Sequence, residues 1–266
     1  MGRRAWAQSR APLEIGVLPN ISARTLLAQY QPMRDYLVRT LRQPVQVSTA
    51  PSWAAFHQRV VARDYDIVVT ASHLARLAQL DCGYVPILVF TPDIKGMIAF
   101  ATSRPIKSIA ELRGHTLVLS NPQSLVALRG LQWLDDSGLQ RGRDFNTINT
   151  RADDSVGNVL VRGDAIAAML SGGELRAIPA PARDQIQVLA TFVEVPGFVV
   201  LASPLLPAAD ALAIKALLLA FATGSELGKA FMASTGFDGI RDLPRELMES
   251  MDAFVEPTRR LLMSSS

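Results

Sequence analysis

The residues best equipped for chemistry in this chain are few and scattered. Its histidines, His57, His73 and His115, fall into neither an H-x-x-x-H nor an H-E-x-x-H spacing, so no two of them are one helical turn apart on a zinc-binding face. Cys82 is the sole cysteine, which excludes an intrachain disulfide and cysteine-based metal motifs. It lies in LAQLDCGY, between a helix and the next strand, and reads as a partly buried thiol. Asp153 and Asp154 are adjacent, so in extended chain their carboxylates point to opposite sides, and one of them is suited to cap the following helix. There is no G-x-S-x-G elbow, no Walker loop and no G-x-G-x-x-G, and SGGE at 171–174 reads as a turn. No set of residues forms an acid–base or nucleophilic constellation, so neither an enzyme nor a metal nor a cofactor is expected.

A second group of residues is more telling. The stretch LVLSNPQSLVALRGLQWL, residues 117–134, passes from an apolar strand through a polar loop into a helix. The first amide N–H groups of a helix have no partner inside it and the helix dipole favours negative charge there, so such a junction is a natural anion pocket. Ser120, Asn121 and Ser124 occupy it. Similar short polar side chains, and one aromatic, follow other strands: Asn20, Trp53, then Thr70, Ser72 and His73, and later Asp153 and Asp154. Taken singly, Ser72, Ser124 and Asp154 serve as helix caps. Taken together, residues at the carboxyl ends of strands in an α/β sheet converge on one crevice, which makes them candidate ligand contacts.

The elements that would position them are legible from the apolar pattern. LEIGVLP (13–19), PVQVSTA (44–50), YDIVVTA (65–71) and YVPILVFT (84–91) read as strands, separated by helical spacings such as Leu26, Tyr30, Met33 and Leu37. A second α/β series starts near SIAELRG and HTLVLS, and the chain closes with apolar helices from residue 208 onward. Alternation of strand and helix predicts an α/β fold with mostly parallel sheets. Extended segments near 96–104 and 194–202 join the two series, so two lobes with two crossings are expected. Lobe 1 spans 13–98 plus 200–266 and lobe 2 spans 99–199, with a cleft between them.

Bulk composition agrees with a folded, ligand-binding chain. At 266 residues and 49% apolar content there is ample material for a sizeable core. The formal charge of +3 arises from 27 basic and 24 acidic residues without a basic run, which argues against nucleic acid as a partner. No stretch is long and apolar enough to span a membrane. Arg3-Arg4 and AWA before Gln8 match the basic start and small-x-small end of an export signal that lacks its apolar middle. An exported, periplasmic protein with its signal removed or trimmed is therefore expected, with residues 1–12 outside the fold.

Four segments carry a resemblance to a known family: IGVLPNISARTLLAQYQPMRDYL, YDIVVTASHLARLA, SIAELRGHTLVLSNPQSLVALRGLQWLDDSGL and ADDSVGNVLVRGDAIAAM. In order and spacing they resemble the phosphate, phosphite and phosphonate binding proteins of bacterial ABC transporters, over nearly the whole chain. The resemblance implies the two-lobed type II periplasmic-binding-protein fold and a small-molecule or oxyanion ligand captured between the lobes. It also implies a membrane partner, either a permease or, as in sensor relatives for arsenite or tetrathionate, a histidine kinase. In the family a loop of the form D-P-x-S-T-S-G holds the oxyanion. Here it reads Asn121-Pro122-Gln123-Ser124-Leu125-Val126-Ala127, which keeps one hydroxyl and replaces two. Each missing hydroxyl costs about 1–3 kcal/mol toward a buried charged oxyanion. Trp53 and Thr70 stand where the family has tyrosines, Asp153 falls near its histidine, and the family's amine-holding acid falls near Gly173, one step from Glu174. These departures imply a weakly charged oxyacid or small organic molecule in place of a fully ionised phosphonate.

Overall fold

The computed structural model describes residues 11–150 and 155–263. The export-signal reading of residues 1–10 and the roles expected of Asp153 and Asp154 fall outside the described residues.

The chain opens with β1 (Leu13–Val17), α1 (Ala23–Leu41), β2 (Val45–Ser48), α2 (Trp53–Val61), β3 (Ile67–Thr70), α3 (Ser72–Cys82) and β4 (Val85–Thr91). It continues through β5 (Ile94–Ala101), β6 (Thr116–Leu119), α4 (Leu125–Asp136), β7 (Asn146–Asn149), α5 (Val156–Arg162), β8 (Ala167–Ser171), α6 (Gly172–Ala177), α7 (Ala180–Arg183) and β9 (Ile186–Val195). It ends with β10 (Val199–Ala202), α8 (Ala208–Gly224), α9 (Glu226–Thr235), β11 (Gly239–Asp242), α10 (Arg245–Glu249) and α11 (Asp252–Met263). Among the described residues no single helix is long and apolar enough to cross a membrane.

The strands form two mixed sheets, ordered β11-β4-β10-β3-β1-β2 and β7-β6-β8-β5-β9. Each contains a parallel trio, β2-β1-β3 in the first and β7-β6-β8 in the second. The strands adjoining the crossings, β10 and β5, run antiparallel to their neighbours. β3 and β10 are buried along their whole length, as expected of central strands covered on both faces. One side of the first sheet packs on Leu26, Tyr30, Met33 and Leu37 of α1 and on Phe221 and Phe231. The other packs on Phe56, Tyr65, Leu74 and Leu77. The second sheet has its own cores around Leu117, Leu119 and Leu134 and around Val118, Val156 and Leu160.

The chain leaves the first sheet at Thr91 and enters the second at Ile94; it returns between Val195 and Val199. The first crossing thus lies before the expected 96–104 and its 98/99 boundary, whereas the return lies inside the expected 194–202, just ahead of the 199/200 boundary. β5 belongs whole to the second sheet, because its pairing runs unbroken from Ile94–Val195 to Ala101–Ile186 apart from two register shifts. The return crossing depends on a close approach. A Cβ at Gly197 would lie 2.1 Å from the Phe90 carbonyl oxygen, so only glycine fits there. The neighbouring Phe90 N–H donates to the Phe198 carbonyl at 2.8 Å.

Candidate functional site

A cleft of about 890 Å³ runs between the two sheets. It opens where the parallel strands end, and the reason is topological. Each of β1, β2, β3 and β6 hands over to a helix on the same side, so the helix starts gather at one edge. Ser22 caps α1, Ser52 caps α2 and Ser124 caps α4, each by accepting the backbone N–H three residues on. Ser22, Trp53, Ser72 and Ser124 all line the cleft, so the N-termini of α1, α2, α3 and α4 face a single space. Each brings unpaired N–H groups and a partial positive charge.

Among the sequence-predicted residues, the structure brings Asn20, Trp53, Ser72 and Ser124 together on the cleft wall. Trp53 is held by its indole Nε1–H, which donates to the Pro19 carbonyl at 3.1 Å, and so ties α2 to the loop after β1. Ser124 Oγ accepts from the Ala127 N–H at 3.0 Å, and beside it Leu125 and Val126 put an apolar edge on the same wall.

The other four described candidates lie off that wall. Ser120 is buried and donates its hydroxyl to Oε1 of Glu174, so it stands behind that cleft residue. Asn121 Oδ1 accepts from the Gln123 N–H at 2.8 Å and shapes the loop before α4. Thr70 is buried and lines a separate internal cavity of about 10 Å³ with Phe56 and His57. His73 is completely buried, and its Nε2 meets the Gln123 carbonyl at 3.1 Å. A carbonyl only accepts, so Nε2 carries the proton, and Nδ1 has no hydrogen-bond partner among the described residues. Burial pushes His73 down to about 4, against a smaller upward pull from the Gln123 hydrogen bond. His73 thus clasps α3 to the loop that precedes α4, a contact between the two halves of the molecule. Gln123 extends the clasp, donating Nε2–H to the Leu261 carbonyl of α11 at 3.2 Å. Leu125, Val195, Met251 and Phe254 pack beside it.

Sequence reasoning missed part of the cleft. SGGE is not a bare turn: Ser171 and Glu174 form a capping box that starts α6, in the S-x-x-E pattern that marks a helix start. Glu174, Arg176 and Arg183 reach the cleft from this region, and Lys95 and Glu194 reach it from β5 and β9. The segment from Ala233 to Phe237, at the end of α9, closes the cleft from the first half. It turns at Gly236, which is in a left-handed conformation, and its place beside the cleft depends on tertiary packing. Among the described residues no three His, Cys, Asp or Glu side chains come together as a metal site.

The sequence profile of the family described as "ABC transporter, phosphonate, periplasmic substrate-binding protein" matches residues 15–246. No curated sequence is significantly similar. Among solved structures, a binding protein component of an ABC phosphonate transporter, PA3383 from Pseudomonas aeruginosa, superposes with a TM-score of 0.81 at 13% identity. That match covers 94% of this chain and 89% of the other. PhnD1 from Prochlorococcus marinus, in complex with methylphosphonate, gives 0.77 at 14% identity over 94% and 97% of the two chains. XAC2383 from Xanthomonas citri, bound to chloride, gives 0.77 at 20% identity over 94% and 99%. These likenesses show the fold, that of type II periplasmic binding proteins. The family is a substrate-binding component of transport, extracytoplasmic and not enzymatic, working with a permease. By its profile match over most of its length, the chain belongs to the periplasmic substrate-binding proteins of phosphonate ABC transporters.

Proposed function

We propose that the cleft captures a small oxyanion, or a related small molecule bearing one, and that the closed, loaded protein delivers it to an ABC permease. The observation that carries this reading is the meeting of four helix N-termini in one cleft. They offset the hydroxyls absent at Leu125 and Val126, because backbone N–H groups do not depend on side-chain identity. With these fixed dipoles, an ionised oxyanion suits the pocket better than the loop sequence alone implies. Asn20, Trp53, Ser72 and Ser124 are the contacts assigned to the ligand, with Trp53 as its apolar wall. The lobes rotate about residues 92–93 and 196–198, and ligand touching both lobes favours the closed state by differential contact. Export with removal of a signal completes the reading. No feature of the chain favours a histidine-kinase partner over a permease.

The test is a thermal-shift and calorimetric screen with methylphosphonate, phosphite, phosphate, alkylsulfonates, arsenite and tetrathionate. A true ligand at 100 times its Kd raises stability by about 2.7 kcal/mol. Absence of any shift across the panel defeats the reading.

A further inference from the structure

The ionisable side chains facing the cleft are unequally satisfied. Asp93 has Arg241 at 3.9 Å, Glu174 is bound by the Ser120 hydroxyl and the Ser171 N–H, and Glu194 stands opposite Lys95 in the β5–β9 ladder. Arg176 and Arg183 have no carboxylate partner among the described residues, and Arg176 is the one whose guanidinium reaches the opposite half. Its guanidinium is nevertheless placed. Nη2 donates to the Gly236 carbonyl across the cleft at 3.5 Å. A Cβ at Gly236 would lie 2.7 Å from Nη2, while Cβ atoms at Gly172 and Gly173 would come no closer than 3.8 and 4.0 Å to the guanidinium. Glycine backbone from both halves therefore borders the exposed fork, and most of its N–H donors are left for a guest. Planar, bidentate donation to an acid is what a guanidinium in this setting does best.

We propose that the ligand carries two acidic groups. One is the oxyanion head at the helix N-termini; the other, a carboxylate or second phosphoryl group, is taken by Arg176. This rests on the oxyanion reading of the cleft and extends it. Volume supports it, since about 890 Å³ falls in the range of pockets for drug-sized molecules and far exceeds the needs of a one-carbon phosphonate. The apolar edge formed by Leu125 and Val126 suits the carbon chain joining two polar ends.

The test compares propylphosphonate with phosphonoacetate, 3-phosphonopropionate and 4-phosphonobutyrate by calorimetry, using wild-type protein, Arg176→Met and Arg176→Lys. In the wild type at least one two-acid compound is expected to bind about tenfold or more tightly than propylphosphonate, the scale of a charge-assisted bidentate pair. Arg176→Met removes that margin while changing propylphosphonate affinity less than about threefold; Arg176→Lys retains part of it, since charge survives but the fork does not. Unchanged melting temperatures without ligand establish that the variants are folded. A margin that survives in Arg176→Met, or wild-type protein that binds propylphosphonate as well as every two-acid compound, overturns the two-acid inference and leaves the oxyanion reading standing. Wild-type protein that binds none of these compounds and no oxyanion of the wider panel overturns both.

Discussion

The two walls of the cleft are made differently. The first-sheet half contributes neutral groups, among them Asn20, Ser22, Tyr30, Trp53, Ser72 and Phe237, and among the described residues none of its lining is an Asp, Glu, Lys or Arg. The second-sheet half contributes Lys95, Glu174, Arg176, Arg183 and Glu194, and the remaining charge, Asp93, sits in the crossing between them. The first wall is also the more deeply built into the core: Trp53 and Tyr30 are 7% and 5% exposed, whereas Arg176 is exposed. Helix dipoles come from both sides, α1 to α3 from the first and α4 from the second, but full charge comes from the second alone. A charge change at Arg176 is thus free to retune the ligand without disturbing packing, while a change at Trp53 disturbs both.

The largest effect that tests this contrast is Trp53→Ala. Removing a buried indole that also holds the Pro19 carbonyl is expected to cost about 3–5 kcal/mol in urea unfolding, and to abolish binding of any ligand found. Arg176→Ala, on the opposite wall, is expected to stay within about 0.5 kcal/mol of wild type. Equal losses at the two positions would erase the distinction between a structural and a selective wall.

Next in size is the clasp that holds the halves together. His73 is neutral in the folded protein because burial lowers its pKa to about 4, against 6.5 for the free side chain. Between those values the unfolded chain binds the proton more readily than the folded one, so stability rises with pH through this window. The contribution is fully present above about pH 6.5, falls as pH drops toward 4, and amounts to about 3 kcal/mol. His73→Gln keeps an N–H donor for the Gln123 carbonyl but cannot titrate, so urea midpoints measured from pH 7 to 4 should flatten relative to wild type. An unaltered slope in His73→Gln would assign the pH dependence to other groups.

The contrast between the walls also explains what could be read from the sequence. Strands and helices of the first half were legible because their apolar residues repeat cleanly, as in Leu26, Tyr30, Met33 and Leu37, all buried on one face of α1. The start of α4 at Ser124 was legible, because a strand followed by a polar loop and an apolar helix marks a helix N-terminus. What failed was the step from residue type to side-chain direction. Ser120 and His73 have the right chemistry and the right loops, yet one turns to Glu174 and the other to Gln123. Neither partner is near in sequence, so no local pattern reveals the choice. β5 was taken for a crossing because an apolar extended segment looks the same whether it pairs with β8 and β9 or runs between sheets. Arg176 was invisible for the same reason, since its place is set by Gly236, which lies on the other half of the molecule.

The smallest expected effect separates the two duties of Ser124. Its hydroxyl caps α4 through the Ala127 N–H and faces the cleft at the same time. Ser124→Ala loses the cap and a donor together, so a stability loss of about 1 kcal/mol and weaker binding would arrive mixed. Ser124→Asp divides them. Aspartate is as good an N-cap as serine and its charge is favourable at a helix start, so stability should stay within about 0.5 kcal/mol of wild type. The same charge stands where an oxyanion head would sit, and like charges in a partly dehydrated cleft repel strongly, so oxyanion affinity should fall by about tenfold or more. Calorimetry on the two variants reads the difference directly. If Ser124→Asp binds oxyanions as wild type does, the head group does not rest on α4, and the positive ends of α1, α2 and α3 must hold it on the neutral wall alone.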